Sequence, residues 1–386
     1  MRKLAVLGST GSIGVQALEV AEAHPGDVRV VGLSTGGSLD ALCAQARRVR
    51  PRALALERAA DSQVARARLA EAAPGATIEV GKGAAARMVA ALECDTVLNG
   101  IVGAAGLAAS LATLERGLRL ALANKETLVV GGPLIARSLA HGGELIPVDS
   151  EHSAALQCLG GRPASEVECL TLTASGGALR AHPDWRRATR EEVLAHPVWS
   201  MGPRITVDSA TLFNKGLELI EAHGLFGLGW EQLDAVLHPE ARIHALVRFV
   251  DGSSVAQAAV ADMRLPIAMA LSWPAHWPRS ARQPAATAAT DLAGLTFAAI
   301  PPGRHPAFDL ARAAGRAGGT APCALNAADE VAVEAFLAGE IPLGAVPEVI
   351  AAVMDAHRVE TVESLAQLTA VDAWAREEAR TGARKR

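Results

Sequence analysis

Short apolar runs alternate with alanine-rich amphipathic stretches over the first 149 residues. The runs at 4–7, 28–33, 53–56, 77–80, 96–98, 118–122 and 145–148 are too short for helices, and the stretches between them carry apolar residues at helical spacing. That alternation predicts the strands and crossover helices of a parallel, doubly wound sheet, whose ligands bind beyond the carboxyl ends of the strands. After residue 150 the period changes. Segments at 168–173, 204–208, 243–250 and 254–260 predict strands mixed with helices in an α+β arrangement, with Asp251-Gly252 as a hairpin turn between the last two. Residues 274–298 are rich in Pro, Ala and Thr and read as a linker. The segments 309–316, 324–338 and 346–357 have helical spacing with few β-branched residues, and the basic end of the chain reads as a solvated tail.

The first strand runs directly into Gly8-Ser9-Thr10-Gly11-Ser12-Ile13-Gly14 and then into a helical pattern over 15–24. Glycines at these positions permit a tight turn and the close approach of a pyrophosphate, while the amides opening the helix offer donors and partial positive charge. Strand, glycine turn and helix in that order are the context of a dinucleotide site. The second strand ends in Ser34-Thr35-Gly36-Gly37-Ser38, with no Asp or Glu before Asp40 to take the ribose hydroxyls of NAD. A carboxylate there would repel a 2′-phosphate, so its absence favours NADP(H), although no Lys or Arg lies within the turn to hold that phosphate. The fold class is therefore α/β: an N-terminal Rossmann-like parallel sheet over 1–149, an α+β catalytic or connective domain over 150–273, the linker 274–298, and a small C-terminal helical domain over 299–386.

Two carboxylates stand close together in Ile146-Pro147-Val148-Asp149-Ser150-Glu151-His152. In extended backbone, side chains i and i+2 project to one side, so Asp149 and Glu151 are expected to offer hard oxygen ligands to one Mg²⁺ or Mn²⁺ ion. In Asn214-Lys215-Gly216-Leu217-Glu218 the i, i+4 spacing puts Asn214 and Glu218 on one helix face, and Glu218 is the third expected ligand. Val207-Asp208-Ser209-Ala210-Thr211 precedes that helix, so Ser209, Asn214 and Lys215 suit an anionic group near the ion. Ser175-Gly176-Gly177 is either a phosphate-holding turn or a plain hairpin turn. The loop His196-Pro197-Val198-Trp199-Ser200-Met201-Gly202-Pro203 has the composition of a lid, or of a surface loop with Trp199 packed on its own domain. A phosphate beside a cation describes a phosphorylated polyol or ketose. His223, His238 and His244 are read as structural.

Composition narrows the rest. Half the residues are hydrophobic, 20% are charged and the net charge is −4, which argues against a general nucleic-acid binder. The 5 cysteines, at 43, 94, 158, 169 and 323, are scattered and form no C-x-x-C, so a reducing cytoplasm is expected. With a core strand already at residues 4–7, no leader is expected before it, and no apolar run suits a membrane span. The absence of tyrosine excludes the Tyr-Lys pair of short-chain dehydrogenases.

The chain resembles the 1-deoxy-D-xylulose 5-phosphate reductoisomerases, which make 2-C-methyl-D-erythritol 4-phosphate in non-mevalonate isoprenoid biosynthesis. The resemblance spans nearly the whole chain. It is carried by residues 7–14 and 101–107, Leu122-Ala123-Asn124-Lys125-Glu126, residues 147–152, Ser175-Gly176-Gly177, His196-Pro197, Trp199-Ser200-Met201-Gly202, residues 207–211 and 214–218, and Ala324-Leu325-Asn326-Ala327-Ala328. It implies NADPH and one divalent cation (Mg²⁺, Mn²⁺ or Co²⁺) as cofactors, with Asp149, Glu151 and Glu218 as metal ligands. Lys125, Ser150, Ser175, His196, Ser209, Asn214, Lys215 and Glu218 are then substrate contacts, and Lys125, Glu151 and His196 the catalytic candidates. Thr10, Gly11, Ser12, Ile13, Gly36, Gly37, Ser38, Asn124, Glu126 and Gly202 would line the NADPH, and Trp199 and Met201 would belong to the lid. Many relatives carry a Lys or Arg and then an Asn where this chain has Gly37 and Ser38, a departure that leaves room for NADH. The family is dimeric, and the strands over 243–260 suit pairing across a two-fold axis.

Two other functions fit part of the pattern. An NADP-dependent dehydrogenase of the aspartate-semialdehyde or homoserine type joins the same classes of domain without needing convergent acids, so loss of turnover on metal chelation separates it. A dinucleotide-sensing module would bind NADPH with no turnover.

Overall fold

β1 (Arg2–Leu7) turns from half-buried to fully enclosed along its length, with Leu4, Ala5, Val6 and Leu7 all buried, and takes the centre of a seven-stranded parallel sheet. The computed structural model describes residues 1–386. The elements that follow are α1 (Ser12–Ala23), β2 (Val28–Thr35), α2 (Leu39–Val49), β3 (Ala53–Leu56), α3 (Ser62–Ala72), β4 (Thr77–Val80), α4 (Ala84–Ala91), β5 (Thr96–Asn99), α5 (Leu107–Glu115), β6 (Arg119–Leu122), α6 (Glu126–Leu139), β7 (Glu144–Pro147) and α7 (Ser150–Leu159). The strand order is β4-β3-β2-β1-β5-β6-β7 and every neighbouring pair is parallel. The order reverses between β1 and β5, and such a reversal opens a crevice at the carboxyl ends of the two strands. The α/β fold read from the strand and helix periods is the observed one.

The chain forms two compact units: Met1–Thr127 with Ile135–Ser153 and Asp262–Pro284, and Leu128–Leu134 with Ala154–Ala261 and Ala285–Arg386. In the second unit, β8 (Val167–Ala174), α8 (Arg190–Leu194), α9 (Pro203–Ala210), α10 (Phe213–Phe226), β9 (Leu233–Leu237), β10 (Ile243–Phe249) and β11 (Ser254–Ala258) lead towards the short β12 (Ala298–Ala299). They form a sheet in the order β11-β10-β8-β9-β12, antiparallel except for the β8–β9 pair. Gly252 supplies the positive φ of the expected turn between β10 and β11. Between β11 and β12 the chain returns to the first unit through α11 (Arg264–Ser272), which packs against α1, β6 and β7. The remaining helices are α12 (Pro306–Ala317), α13 (Ala321–Ala338), α14 (Val346–Ala356) and α15 (Leu365–Ala383). They pack around α13, most of whose side chains are buried, and helical order continues to Ala383. No helix is long and apolar enough to cross a membrane.

Two local expectations are corrected. Residues 204–208 are helical, within α9, not a strand. The β-branched run Ile205-Thr206-Val207 favours a strand, but Gly202 at the N-cap and Pro203 in the first turn start a helix there, and α9 packs on α10 and α13. Asp149 and Glu151 do not share extended backbone. β7 ends at Pro147, Asp149 Oδ1 accepts the Glu151 amide, and the helix α7 begins at Ser150. A side-chain acceptor at that point satisfies an amide that the first helical turn leaves open.

Candidate active site

The glycine turn after β1 is built by steric exclusion. Gly8 has φ +71°, and a Cβ on it would lie 2.6 Å from the Gly100 carbonyl oxygen, so the loops leaving β1 and β5 touch backbone to backbone at the point where the strand order reverses. Gly14 packs the opening of α1 onto the turn, where a Cβ would meet Gly8 O at 2.3 Å. Gly11 is the N-cap, with no side-chain hydrogen bond closing the helix end, and Gly11 and Ser12 are exposed. The Thr10 hydroxyl bonds that of Thr35 at the end of β2. Ile13 lies against Gly100. Gly36, Gly37 and Ser38 join β2 to α2, and Ser38 caps α2 without a side-chain hydrogen bond.

On the same carboxyl rim, Asn124 and Glu126 are buried and turned towards the loop after β5. Asn124 Nδ2 donates to Gly103 O (3.0 Å) and to Glu126 Oε2 (2.8 Å), and Glu126 Oε1 accepts the Gly103 amide (3.2 Å). These bonds brace a loop on which Val102 is left 76% exposed. Lys125, between them, points elsewhere: its Nζ donates to Asp149 Oδ2 at 3.1 Å, with both side chains mostly buried. His152 is fully buried, with Nδ1 3.1 Å from Asp149 Oδ1, and Ser150 Oγ donates to Glu151 Oε2 at 2.6 Å. Asp149 is thus held by the Lys125 ammonium, whose hydrogen bond orients the carboxylate, with the His152 imidazole packed on its other oxygen. The role of His152 was not read from the sequence, although its position one helical turn after Asp149 is a usable signal.

In the second unit the expected substrate contacts fall into two groups joined by one turn. Gly177 has φ +63°, and a Cβ there would sit 2.7 Å from Ser209 O and from Ala210 Cα, so the 175–177 turn lies directly on the end of α9 that carries Ser209. Ser175 Oγ accepts the Gly177 amide (3.3 Å) and lies 3.1 Å from His196 Nε2. His196 Nδ1 accepts the amides of Val198 (3.2 Å) and Trp199 (2.9 Å). With Nδ1 acting as acceptor, the ring proton lies on Nε2, which donates to Ser175. Burial lowers the His196 pKa, favouring this neutral form. The loop over 195–202 has no regular structure. Trp199 is half-buried and edge-on to His244, with ring centroids 6.4 Å apart, Met201 is half-buried, and Gly202 begins α9.

Leu212, in the left-handed conformation, separates α9 from α10. On α10, Asn214 and Lys215 both bond the Glu218 carboxylate. Lys215 and Glu218 are almost completely buried, so the charges are compensated at close range. The expected sharing of a face by Asn214 and Glu218 is observed. His223 Nδ1 bonds Leu228 O (2.6 Å), while His238 holds Thr296 O (2.9 Å) through Nδ1 and the amides of Arg242 and Ile243 through Nε2. Arg204 was not singled out by the sequence. From the first turn of α9 it reaches Glu330 Oε1 (2.9 Å) and Asn326 Oδ1 (3.2 Å) on α13, anchoring the chain just beyond the 195–202 loop.

Residues 4–132 match the family described as 1-deoxy-D-xylulose 5-phosphate reductoisomerase, and residues 145–226 and 259–378 match two C-terminal domains of the same enzyme. A 1-deoxy-D-xylulose 5-phosphate reductoisomerase of Moorella thermoacetica is 49% identical over 98% of this chain and 97% of its own length. The chain belongs to the 1-deoxy-D-xylulose 5-phosphate reductoisomerase family. A reductoisomerase of Thermus thermophilus is 47% identical, covering 98% of this chain and 99% of that protein. Among solved reductoisomerases, one in complex with NADPH, fosmidomycin and magnesium superposes with a TM-score of 0.92 at 35% identity, covering 99% of this chain and 98% of the other. The Zymomonas mobilis reductoisomerase in complex with NADPH gives 0.90 at 34%, covering 99% of each chain.

Proposed function

We propose that this chain converts 1-deoxy-D-xylulose 5-phosphate to 2-C-methyl-D-erythritol 4-phosphate, using NADPH and one divalent cation, in non-mevalonate isoprenoid biosynthesis. The observation that carries this reading is the Asp149–Glu151 pair at the carboxyl end of β7, in a chain that matches the reductoisomerases along nearly its whole length. The residues suit both groups. Asp149, Glu151 and Glu218 are hard oxygen donors, the ligand type that Mg²⁺ and Mn²⁺ prefer. Gly8 and Gly14 let the turn close backbone against backbone, which leaves Gly11 and Ser12 exposed at an uncapped helix start of the kind a pyrophosphate needs.

When bound, the cation supplies Lewis-acid polarisation of the ketose carbonyl, and NADPH supplies the hydride that reduces the rearranged aldehyde. The protein's own share is positioning and charge. Ser175, Ser209, Asn214 and Lys215 hold the substrate's polar groups, with the Nε2–H of His196 fixing the Ser175 hydroxyl. Lys125 and Glu151 are the candidates for moving protons at the substrate hydroxyls, a role supported for Lys125 by its hydrogen bond to Asp149. Trp199 and Met201 exclude water from the bound aldehyde. Thr10, Ser12, Ile13, Asn124, Glu126 and Gly202 belong to the nucleotide side, Asn124 and Glu126 acting through the loop they brace.

The enzyme works as a cytoplasmic homodimer. Support comes from the free state of the cysteines and from β11, which ends its sheet with an unpaired edge and an exposed Val255. The test is NADPH oxidation with 1-deoxy-D-xylulose 5-phosphate and Mg²⁺. Asp149→Asn and Glu218→Gln are expected to abolish nearly all turnover while nucleotide binding survives. Near-parental turnover by either variant contradicts the metal assignment, and turnover that survives chelation favours a metal-free dehydrogenase.

A further inference from the structure

The turn after β2 contains no cation of its own, yet one is delivered to it from β3. Thr35 pairs with Leu56 in the parallel register of β2 and β3, and the chain beyond both strands continues that pairing: the Glu57 amide donates to Thr35 O (3.1 Å) and the Arg58 amide to Gly36 O (2.7 Å). The Arg58 side chain then lies over the glycines. A Cβ on Gly36 would be 3.4 Å from Arg58 Nη2, and one on Gly37 3.8 Å from the same atom. The two glycines therefore form a bare floor beneath a guanidinium.

That guanidinium is exposed and forms no ion pair or side-chain hydrogen bond. The acids nearby are committed in other directions. Glu57 Oε1 accepts the Gly83 amide at 2.7 Å, Asp40 pairs with Arg68, and Asp61 caps α3 by accepting the amides of Gln63 and Val64. Ser38 adds a hydroxyl whose side chain makes no capping bond. The end of β2 is where a dinucleotide fold places the adenosine ribose. A positively charged, acid-free turn there suits a dianionic 2′-phosphate, and a planar guanidinium is the side chain that matches phosphate by paired hydrogen bonds.

We infer that Arg58 is the specificity-determining residue for the 2′-phosphate of NADPH, supplying from β3 the cation that the Gly36-Gly37-Ser38 turn lacks, with the Ser38 hydroxyl as its partner. The inference rests on the nucleotide reading above. It also removes the room for NADH that the turn sequence alone leaves open.

The test is equilibrium binding, independent of turnover: the full chain is titrated with NADPH, with NADH and with 2′,5′-ADP, following tryptophan fluorescence, for the parent, Arg58→Ala and Arg58→Lys. The parent is expected to prefer NADPH. Arg58→Ala should weaken NADPH and 2′,5′-ADP by about 10- to 100-fold, the range for losing a charge-assisted contact, leave NADH within about twofold, and show an unchanged Tm, while Arg58→Lys recovers part of the loss. Equal losses for NADPH and NADH, or no loss for NADPH, overturn the assignment of Arg58 while the nucleotide site stands. A parent that binds neither nucleotide overturns the nucleotide reading and this inference together.

Discussion

Gly14→Ala perturbs the contact that holds α1 on the glycine turn. The added Cβ would lie 2.3 Å from Gly8 O, 2.4 Å from Ser9 Cα and 2.6 Å from Ser9 C. Non-bonded carbons rest about 3.5 Å apart, so the overlap is about 1 Å against three backbone atoms, none of which can rotate away. Relief requires α1 to retreat from β1, or the turn to open and break the Gly8–Gly100 contact. Overpacking a buried site costs about 1–3 kcal/mol, and a clash with main chain belongs at the upper end, about 3 kcal/mol. Gly11→Ala is the matched control. Gly11 has φ −81°, and its Cβ would meet only Gly8 O, at 3.4 Å. The loss of a glycine cap is partly offset by the reduced freedom of the unfolded chain, leaving a net change within about 1 kcal/mol. Urea denaturation followed by far-UV circular dichroism measures both. A Gly14→Ala protein as stable as Gly11→Ala, with an unchanged denaturant slope, would refute the packing described.

Four further outcomes are expected. His305 is buried at the head of α12, and desolvation with the neighbouring Arg304 lowers its pKa to about 4. The unfolded chain therefore binds the extra proton, and stability falls by about 3 kcal/mol as pH drops from 6.5 towards 4; His305→Gln should flatten that part of a stability–pH curve, and an unchanged slope counts against it. Asp329 is fully enclosed on α13, where burial and then the Asp208 charge raise its pKa well above the carboxylate norm. Its stabilising protonated form is complete below the unfolded pKa and is lost as pH rises through the folded one, so Asp329→Asn should be relatively more stable than the parent at alkaline pH in the same assay. Ser175→Ala removes the acceptor shared by His196 and the Gly177 amide, and should raise KM for the phosphorylated ketose by about tenfold with NADPH affinity unchanged by titration. Val255→Lys on the edge strand should shift light-scattering mass from dimer to monomer; a monomeric parent contradicts that arrangement.

The parallel sheet was legible because each buried strand is a short, nearly uninterrupted apolar run, as in Leu4-Ala5-Val6-Leu7, closed by a turn residue. The i, i+4 relation of Asn214 and Glu218 was legible for a similar reason, since helical spacing alone decides it. The helix α9 was not, because Ile205-Thr206-Val207 carries strand propensity that packing on α10 and α13 overrides. The i, i+2 geometry assumed for Asp149 and Glu151 failed because the strand stops at Pro147 and the helix begins at Ser150. Arg58 over Gly36 and Arg204 on α13 were invisible, since each contact joins segments whose separation follows no local period. The return of α11 to the first unit, long after the parallel strands have ended, is a tertiary choice of the same kind.

Cation stoichiometry tests the central claim most directly. Titrating the full chain with Mn²⁺ and following the electron paramagnetic resonance of the free ion should reveal one bound ion per chain, with affinity reduced about tenfold or more in each of Asp149→Asn, Glu151→Gln and Glu218→Gln. NADPH affinity should stay at the parental level in all three. A parent that leaves all the Mn²⁺ free, or a Glu218→Gln protein that binds it as tightly as the parent, contradicts the account.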